Sequence, residues 1–306
     1  MLSMANSYNQ EIAQDSPSWG IVAVCCAHMR SEPRHSSEMI SQATMGTPVQ
    51  ILTTTNEWRR IMTPDGYCGW MHYSSIATKS ATEMQMWKES RRYIFTGMQG
   101  YIYNTYDGNE THPVSDLVLG CIFQQYSEND VNGYIEVLTP DGRKGYVHHD
   151  KVTDFYSWAH TSPDMDRLER EAIMMTGTTY LWGGTSVKGV DCSGLVRMLY
   201  FSQGIILQRD ASQQAGTGDV LDNISTPEEY QKGDLLFFGN DEGRINHVAI
   251  YLENGKYIQS SGRVKTNSLS PSDDTFEDRK ILAARRIITA IGTSGIMHVA
   301  EHPWYF

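Results

Sequence analysis

The chain has 306 residues, 40% of them hydrophobic and 20% charged, an ordinary globular balance that excludes disordered and fibrous classes. Lys and Arg number 25 and Asp and Glu 36, a net charge of −11, which argues against nucleic acid and other polyanions held by bulk charge. No apolar run reaches the roughly 18 residues of a membrane span, so no membrane span and no nucleic-acid partner are expected.

The first seven residues, Met-Leu-Ser-Met-Ala-Asn-Ser, lack a charged stretch followed by an apolar one. That leaves a cytoplasmic protein, or a cell-envelope protein whose leader has been removed. The five cysteines, Cys25, Cys26, Cys68, Cys121 and Cys192, form no C-x-x-C pair, against a zinc ribbon or a dithiol site. Four of them read as small core residues.

An internal repeat follows. Thr63-Pro64-Asp65-Gly66-Tyr67-Cys68-Gly69-Trp70 and Thr139-Pro140-Asp141-Gly142-Arg143-Lys144-Gly145-Tyr146 share a turn, a glycine and an aromatic residue. Each predicts a hairpin, preceded by β-rich runs such as Val49–Leu52 and Tyr134–Leu138. Two copies point to tandem small barrels over 17–80 and 90–155. Asn109-Glu110-Thr111 matches a glycosylation sequon. His148-His149 reads as a strand end rather than a metal site.

From about 160 to 306 the pattern becomes α+β. Ser162-Pro163-Asp164 predicts a helix start with Ser162 as N-cap, the helix running to about Thr176. From Leu195 the apolar residues Leu195, Val196, Met198 and Leu199 mark one helical face. Cys192 therefore stands at a helix N-terminus, where the dipole and free amides favour a thiolate, behind a Gly-rich entry that should expose it. Downstream, Val248, Ile250 and Leu252 share a core face, so His247, Ala249 and Tyr251 point away from it. A cysteine at a helix start and a strand histidine suit a nucleophile and its base.

Asp191-Cys192-Ser193-Gly194-Leu195-Val196, Lys232-Gly233-Asp234-Leu235-Leu236-Phe237-Phe238 and His247-Val248-Ala249-Ile250-Tyr251-Leu252 resemble the NlpC/P60 family of bacterial cysteine peptidases. The two β-repeats resemble bacterial SH3 domains. The resemblance implies two small all-β SH3-like barrels followed by a papain-like α+β domain. It further implies cleavage of cell-wall peptides after γ-D-glutamate, with no metal or organic cofactor. Cys192 and His247 would be catalytic. The third catalytic position falls on Gln259, where the commoner family pattern has histidine; an amide can hold imidazole in one tautomer.

The subgroup acting on free muropeptides, γ-D-glutamyl-L-diamino acid endopeptidases, implies substrate contacts at Glu38, Tyr73, Trp182, Asp191, Ser193 and Asp210. Ser212 would stand in for a serine missing at Ala211. Glu38 would pair with the ammonium of an N-terminal L-Ala and so select free peptides over intact wall. A muropeptide is thus the expected partner of a monomeric enzyme. Alternatives are a non-catalytic wall-binding SH3 protein and an acyltransferase on a related Cys–His fold. For His247 and Gln259 to share a face, the loop near Asn254-Gly255 must pair 252 with 256 and 249 with 259, with Gly255 left-handed.

Overall fold

The computed structural model describes residues 19–106, 112–222, 226–240 and 242–306. The sequon at 109–111 and the first seven residues lie outside them. Two units divide the chain: one holds residues up to 38, 43–156 and 303–306, the other 39–42 and 157–302. Among the described residues no helix is long and apolar enough to cross a membrane.

The sequence repeat reappears as topology in the first unit. Each copy builds a seven-stranded antiparallel sheet. The first runs in the order 39–44, 26–30, 68–72, 58–62, 48–55, 19–22, 76–79, and the second in the order 113–118, 99–103, 144–148, 134–138, 122–131, 92–95, 152–154. Corresponding strands occupy corresponding places. The hairpins share a register, Met62↔Cys68 in one and Leu138↔Lys144 in the other. In both turns the glycine amide bonds the carbonyl of the threonine three residues before it, Gly66 to Thr63 and Gly142 to Thr139. Gly66 and Gly142 have φ of 78° and 87°. A Cβ on either would meet no atom within 4 Å, so the left-handed backbone alone calls for glycine.

Ile21, Val49, Ile61 and Met71 centre the first core; Ile102, Val118, Phe123 and Val137 centre the second. Of the four cysteines expected in cores, Cys25 and Cys121 are buried while Cys26 and Cys68 are only partly so. The strands carrying Cys26 and Cys68 alternate faces, and these two take the half-exposed one. Between the two repeats in chain order comes a helix, Ala81–Glu89, packed on strands 19–22 and 76–79. Ser80 and Glu83 close a capping box: the Glu83 amide donates to Ser80 Oγ (3.2 Å) and the Ser80 amide to Glu83 Oε2 (2.7 Å).

In the second unit the first long helix spans Met165–Met174. Its N-cap is Asp164, not Ser162. The Asp164 carboxylate accepts from the amides of Asp166 and Arg167 at 2.9 and 3.0 Å, and Pro163 keeps the residue before it out of helical geometry. The helix stops before Thr176 because the Met175 and Thr176 amides bond three residues back, tightening the end.

A six-stranded antiparallel sheet follows, ordered 219–220, 281–286, 235–239, 245–251, 256–261, 263–268. The helix Cys192–Ser202 packs against its centre. Nine of the eleven residues of that helix are buried, so it is enclosed nearly all round rather than on one face. The sheet is likewise buried on both sides. Val248, Ile250 and Leu252 form one layer. Ala249 and Tyr251, expected to face outward, form another with Leu236, Phe238, Tyr257 and Ala284.

Candidate active site

Cys192 opens its helix, and Asp191 is the N-cap. Asp191 Oδ1 accepts from the Gly194 amide at 2.7 Å, and Oδ2 accepts from the Gly183 amide at 2.9 Å. Arg209, itself buried, closes on the same carboxylate with Nη1 at 3.1 Å and Nη2 at 2.5 Å. Arg209 also donates to Ser193 Oγ (2.9 Å) and, through Nε, to Ser41 Oγ (3.1 Å). Asp191 and Ser193, expected to touch substrate, are instead buried and bonded internally. With three bonds to Oδ1, the third from the Ser193 hydroxyl at 3.3 Å, and two to Oδ2, the Asp191 carboxylate holds the helix start. Gly194 is required by space: a Cβ there would stand 1.9 Å from the Gly184 carbonyl oxygen.

Cys192 is buried rather than exposed, at 7% accessibility. Burial, and then the Asp191 charge, push its thiol above the ordinary range; hydrogen bonds from the Val248 and Ser193 amides work the other way. The Val248 bond places the sulfur beside the His247–Val248 peptide. That amide is available because the ladder between strands 245–251 and 256–261 is confined to Ile250↔Ile258 and Tyr251↔Tyr257.

The same register, extended, sets Ala249 opposite Gln259, as sharing a face required. Asn254 and Gly255 are both left-handed, with φ of 53° and 72°. The Lys256 amide bonds the Glu253 carbonyl, while the Leu252 amide bonds the Lys256 carbonyl. Glu253 is therefore the extra residue, two positions before the left-handed Gly255 where the sequence would put a bulge.

His247 Nε2 lies 2.6 Å from Gln259 Oε1. Gln259, wholly buried, uses its amide nitrogen twice, on Asn267 Oδ1 at 2.8 Å and Glu277 Oε2 at 2.9 Å. Lys265 bonds the other Glu277 oxygen, and Arg279 Nη1 lies 3.4 Å from Gln259 Oε1. Burial, then the Arg279 charge, lower His247 to about 4, against the Gln259 bond and the Glu277 charge. Both shifts favour a neutral thiol and a neutral imidazole, not a resting ion pair.

Sequence reasoning missed this outer ring of Asn267, Glu277, Lys265 and Arg279. It also missed Tyr180, whose phenol burial pushes up to about 12, helped by the neighbouring Cys192 and Asp191 charges. Tyr180 thus offers a neutral hydroxyl donor near the sulfur.

The other expected residues are placed as follows. Trp182 is 61% and Tyr73 47% exposed. Glu38 is exposed and belongs to the first unit, as does Tyr73. Asp210 is half-buried and leads a short helix, Ala211–Gln214. Ala211 is buried and Ser212 exposed. Neighbouring helical positions point about 100° apart, so Ser212 does not take the direction of Ala211. Among the described residues, His148, His149 and Asp150 of the first unit could bring ligand atoms within 4.8 Å of one another. Those atoms already serve each other and the chain: His149 Nε2 lies 2.7 Å from Asp150, and its Nδ1 3.0 Å from the Gly133 carbonyl.

Residues 177–286 match the model of the NlpC/P60 family, and residues 29–76 that of the bacterial dipeptidyl-peptidase SH3 domain. A γ-D-glutamyl-L-lysine dipeptidyl-peptidase from Bacillus cereus is 28% identical over 268 residues, 83% of this chain and 77% of its own. A probable endopeptidase NlpC homolog from Haemophilus influenzae is 31% identical over 170 residues, 54% of this chain and 85% of its own. The crystal structure of an NlpC/P60 family protein from Bacillus cereus matches with a TM-score of 0.74 and 24% identity, covering 88% of this chain and 99% of that one. At that identity the likeness is one of fold.

Proposed function

The chain belongs to the NlpC/P60 family of cysteine peptidases, and from that premise we propose that it hydrolyses the γ-D-Glu–L-diamino acid bond of free muropeptides bearing an N-terminal L-Ala. The observation that carries the chemistry is a helix-start sulfur held by the Val248 amide, next in sequence to His247, whose Nε2 is tied to Gln259. A relative's activity on γ-D-glutamyl-L-lysine supports the bond class.

In this reading Cys192 Sγ attacks the γ-carbonyl carbon as its proton passes to His247 Nδ1. The neutral resting pair makes His247 a general base, not one half of a preformed ion pair. The carbonyl oxygen becomes an oxyanion, met by the Cys192 amide and the Tyr180 hydroxyl. The C–N bond breaks, and the leaving amine takes the proton from His247. Water then gives a proton to His247 and its oxygen to the thioester carbon, which frees the carboxylate and returns the thiol. Replacing Cys192 with Ala should abolish turnover, while Ala at Cys25, Cys26, Cys68 or Cys121 leaves it. Because burial raises the thiol, alkylation of Cys192 should be followed above neutral pH.

Glu38 gives the substrate preference. In intact wall the L-Ala nitrogen is an uncharged amide, so a carboxylate gains nothing from it. Glu38 is exposed, so the gain from pairing is that of a surface ion pair, about 1 kcal/mol or roughly fivefold. The test is kcat/KM for L-Ala-γ-D-Glu-L-Lys against its N-acetylated form, in wild type and Glu38→Gln. Wild type should prefer the free amine and the variant should lose that preference. Equal cleavage by wild type would remove the free-muropeptide role.

A further inference from the structure

We propose that Glu277 is a positioning residue of the reaction, which acts through Gln259 to select the His247 tautomer able to take the Cys192 proton. This rests on the peptidase reading above.

An amide is two-faced: it can offer a partner its oxygen or its NH₂, and the two are nearly equal in shape. If Gln259 turned its NH₂ to His247 Nε2, that nitrogen would have to carry the lone pair. The ring proton would then sit on Nδ1, the nitrogen that must receive the thiol proton. The site would contain every residue of the mechanism and still be unable to begin it. Something must choose the face, and His247 itself can accept either.

The structure assigns that choice to the far side of Gln259. Both hydrogens of its NH₂ are taken, by Asn267 Oδ1 and Glu277 Oε2. Asn267 is pinned because its own NH₂ donates to the Thr275 carbonyl at 2.8 Å, leaving its oxygen toward Gln259. Glu277 is a carboxylate and can only accept. Burial opposes its charge, but bonds from Lys265 and Gln259 outweigh burial and hold it below the usual carboxylate range. A flipped Gln259 would aim its oxygen at two acceptor oxygens and forfeit both bonds, at least one of them to a charge. Arg279, near Oε1, favours the same orientation. The segment that delivers Glu277 is anchored on the sheet: Phe276 bridges to Ser268, and the Ser268 amide bonds the Thr275 carbonyl.

The test uses the full chain labelled with ¹⁵N-histidine. His247 is assigned by its loss in His247→Gln, and its ring nitrogens are read near neutral pH. Wild type should show the proton on Nε2. Glu277→Met, which keeps length but removes the acceptor, should show a substantial share on Nδ1. Its kcat on L-Ala-γ-D-Glu-L-Lys should fall roughly tenfold or more, with KM within about twofold. In a Gln259→Leu background the same replacement should cost no more than about twofold, since its intermediary is gone. Glu277→Ala serves if the methionine variant does not fold. An unchanged tautomer in the folded variant, or an equal loss in both backgrounds, would overturn the proposal. The tautomer is read without turnover. If wild type cleaves no muropeptide, the peptidase reading fails while the spectrum still decides on Glu277.

Discussion

Cys192 is set by charge buried beside it, whereas His247 is set by a neutral amide that keeps charge one residue further out. On the first side Arg209 and Asp191 are both inside, at 2% and 6% accessibility, and the two carboxylate oxygens accept three and two hydrogen bonds. On the second side Gln259 is inside, but the Lys265–Glu277 pair keeps about a quarter to a third of each side chain in solvent. A helix start needs a strong, permanent acceptor for its amides, and the desolvated ion pair supplies one at a stability risk if either partner is lost. Here Gln259 stands between the imidazole and the Glu277 carboxylate, so orientation passes to His247 through a neutral amide.

The largest expected effect lies on the cysteine side. Arg209→Leu leaves Asp191 buried and uncompensated, and should cost roughly 3–5 kcal/mol in denaturant unfolding. A loss below 1 kcal/mol would mean that the two sides do not differ as described. The next effect reads the histidine side through pH. Well above pH 6.5, from about pH 7.5 upward, the ring is neutral both folded and unfolded, so it contributes no slope. As pH falls toward 4 the unfolded ring takes a proton that the folded one refuses, so stability drops, by roughly 3 kcal/mol at the low end. His247→Gln should lack this part of the acid slope between pH 7 and 4; an unchanged slope would break the assignment. The acid limb of kcat/KM should likewise lie near 4 rather than 6.5. The smallest effect is Lys265→Met, which should change stability by no more than about 1 kcal/mol, because that pair is part-exposed. A larger loss would move the pair into the same class as Arg209–Asp191.

The paired motifs around Cys192 and His247 were legible because each is local, a helical apolar run just after the cysteine and an apolar strand just after the histidine. Gln259 was legible through the family resemblance, and the Ile250↔Ile258 register is what then turns it to the His247 side. Asn267 and Glu277 were not, because they reach Gln259 from a third strand and the segment beyond it, and no local pattern marks that crossing. Alternation also misled where both sides of a strand are covered. Leu235–Phe238 and Val248–Leu252 are near-continuous apolar runs, the signature of a sheet buried on two faces. Reading only the odd-even pattern sent Ala249 and Tyr251 to solvent. The exposure expected of Cys192 failed likewise, since glycines in an entry loop show where backbone comes close, not where water does.

Residues 39–42 are counted with the second unit although the chain enters them from the first. Ser41 Oγ accepts from Arg209, and Gln42 Oε1 accepts from the Thr185 amide at 2.9 Å. The stretch that matches the peptidase family, 177–286, is therefore not a self-sufficient piece of cargo. Cut out at 157, it would lack the Ser41 acceptor of the Arg209 Nε and the Gln42 acceptor of the Thr185 amide, both buried. Gene rearrangement that treats the C-terminal half as portable would inherit that deficit, and lineages that moved it intact would have had to bring four residues from elsewhere or replace what they bond.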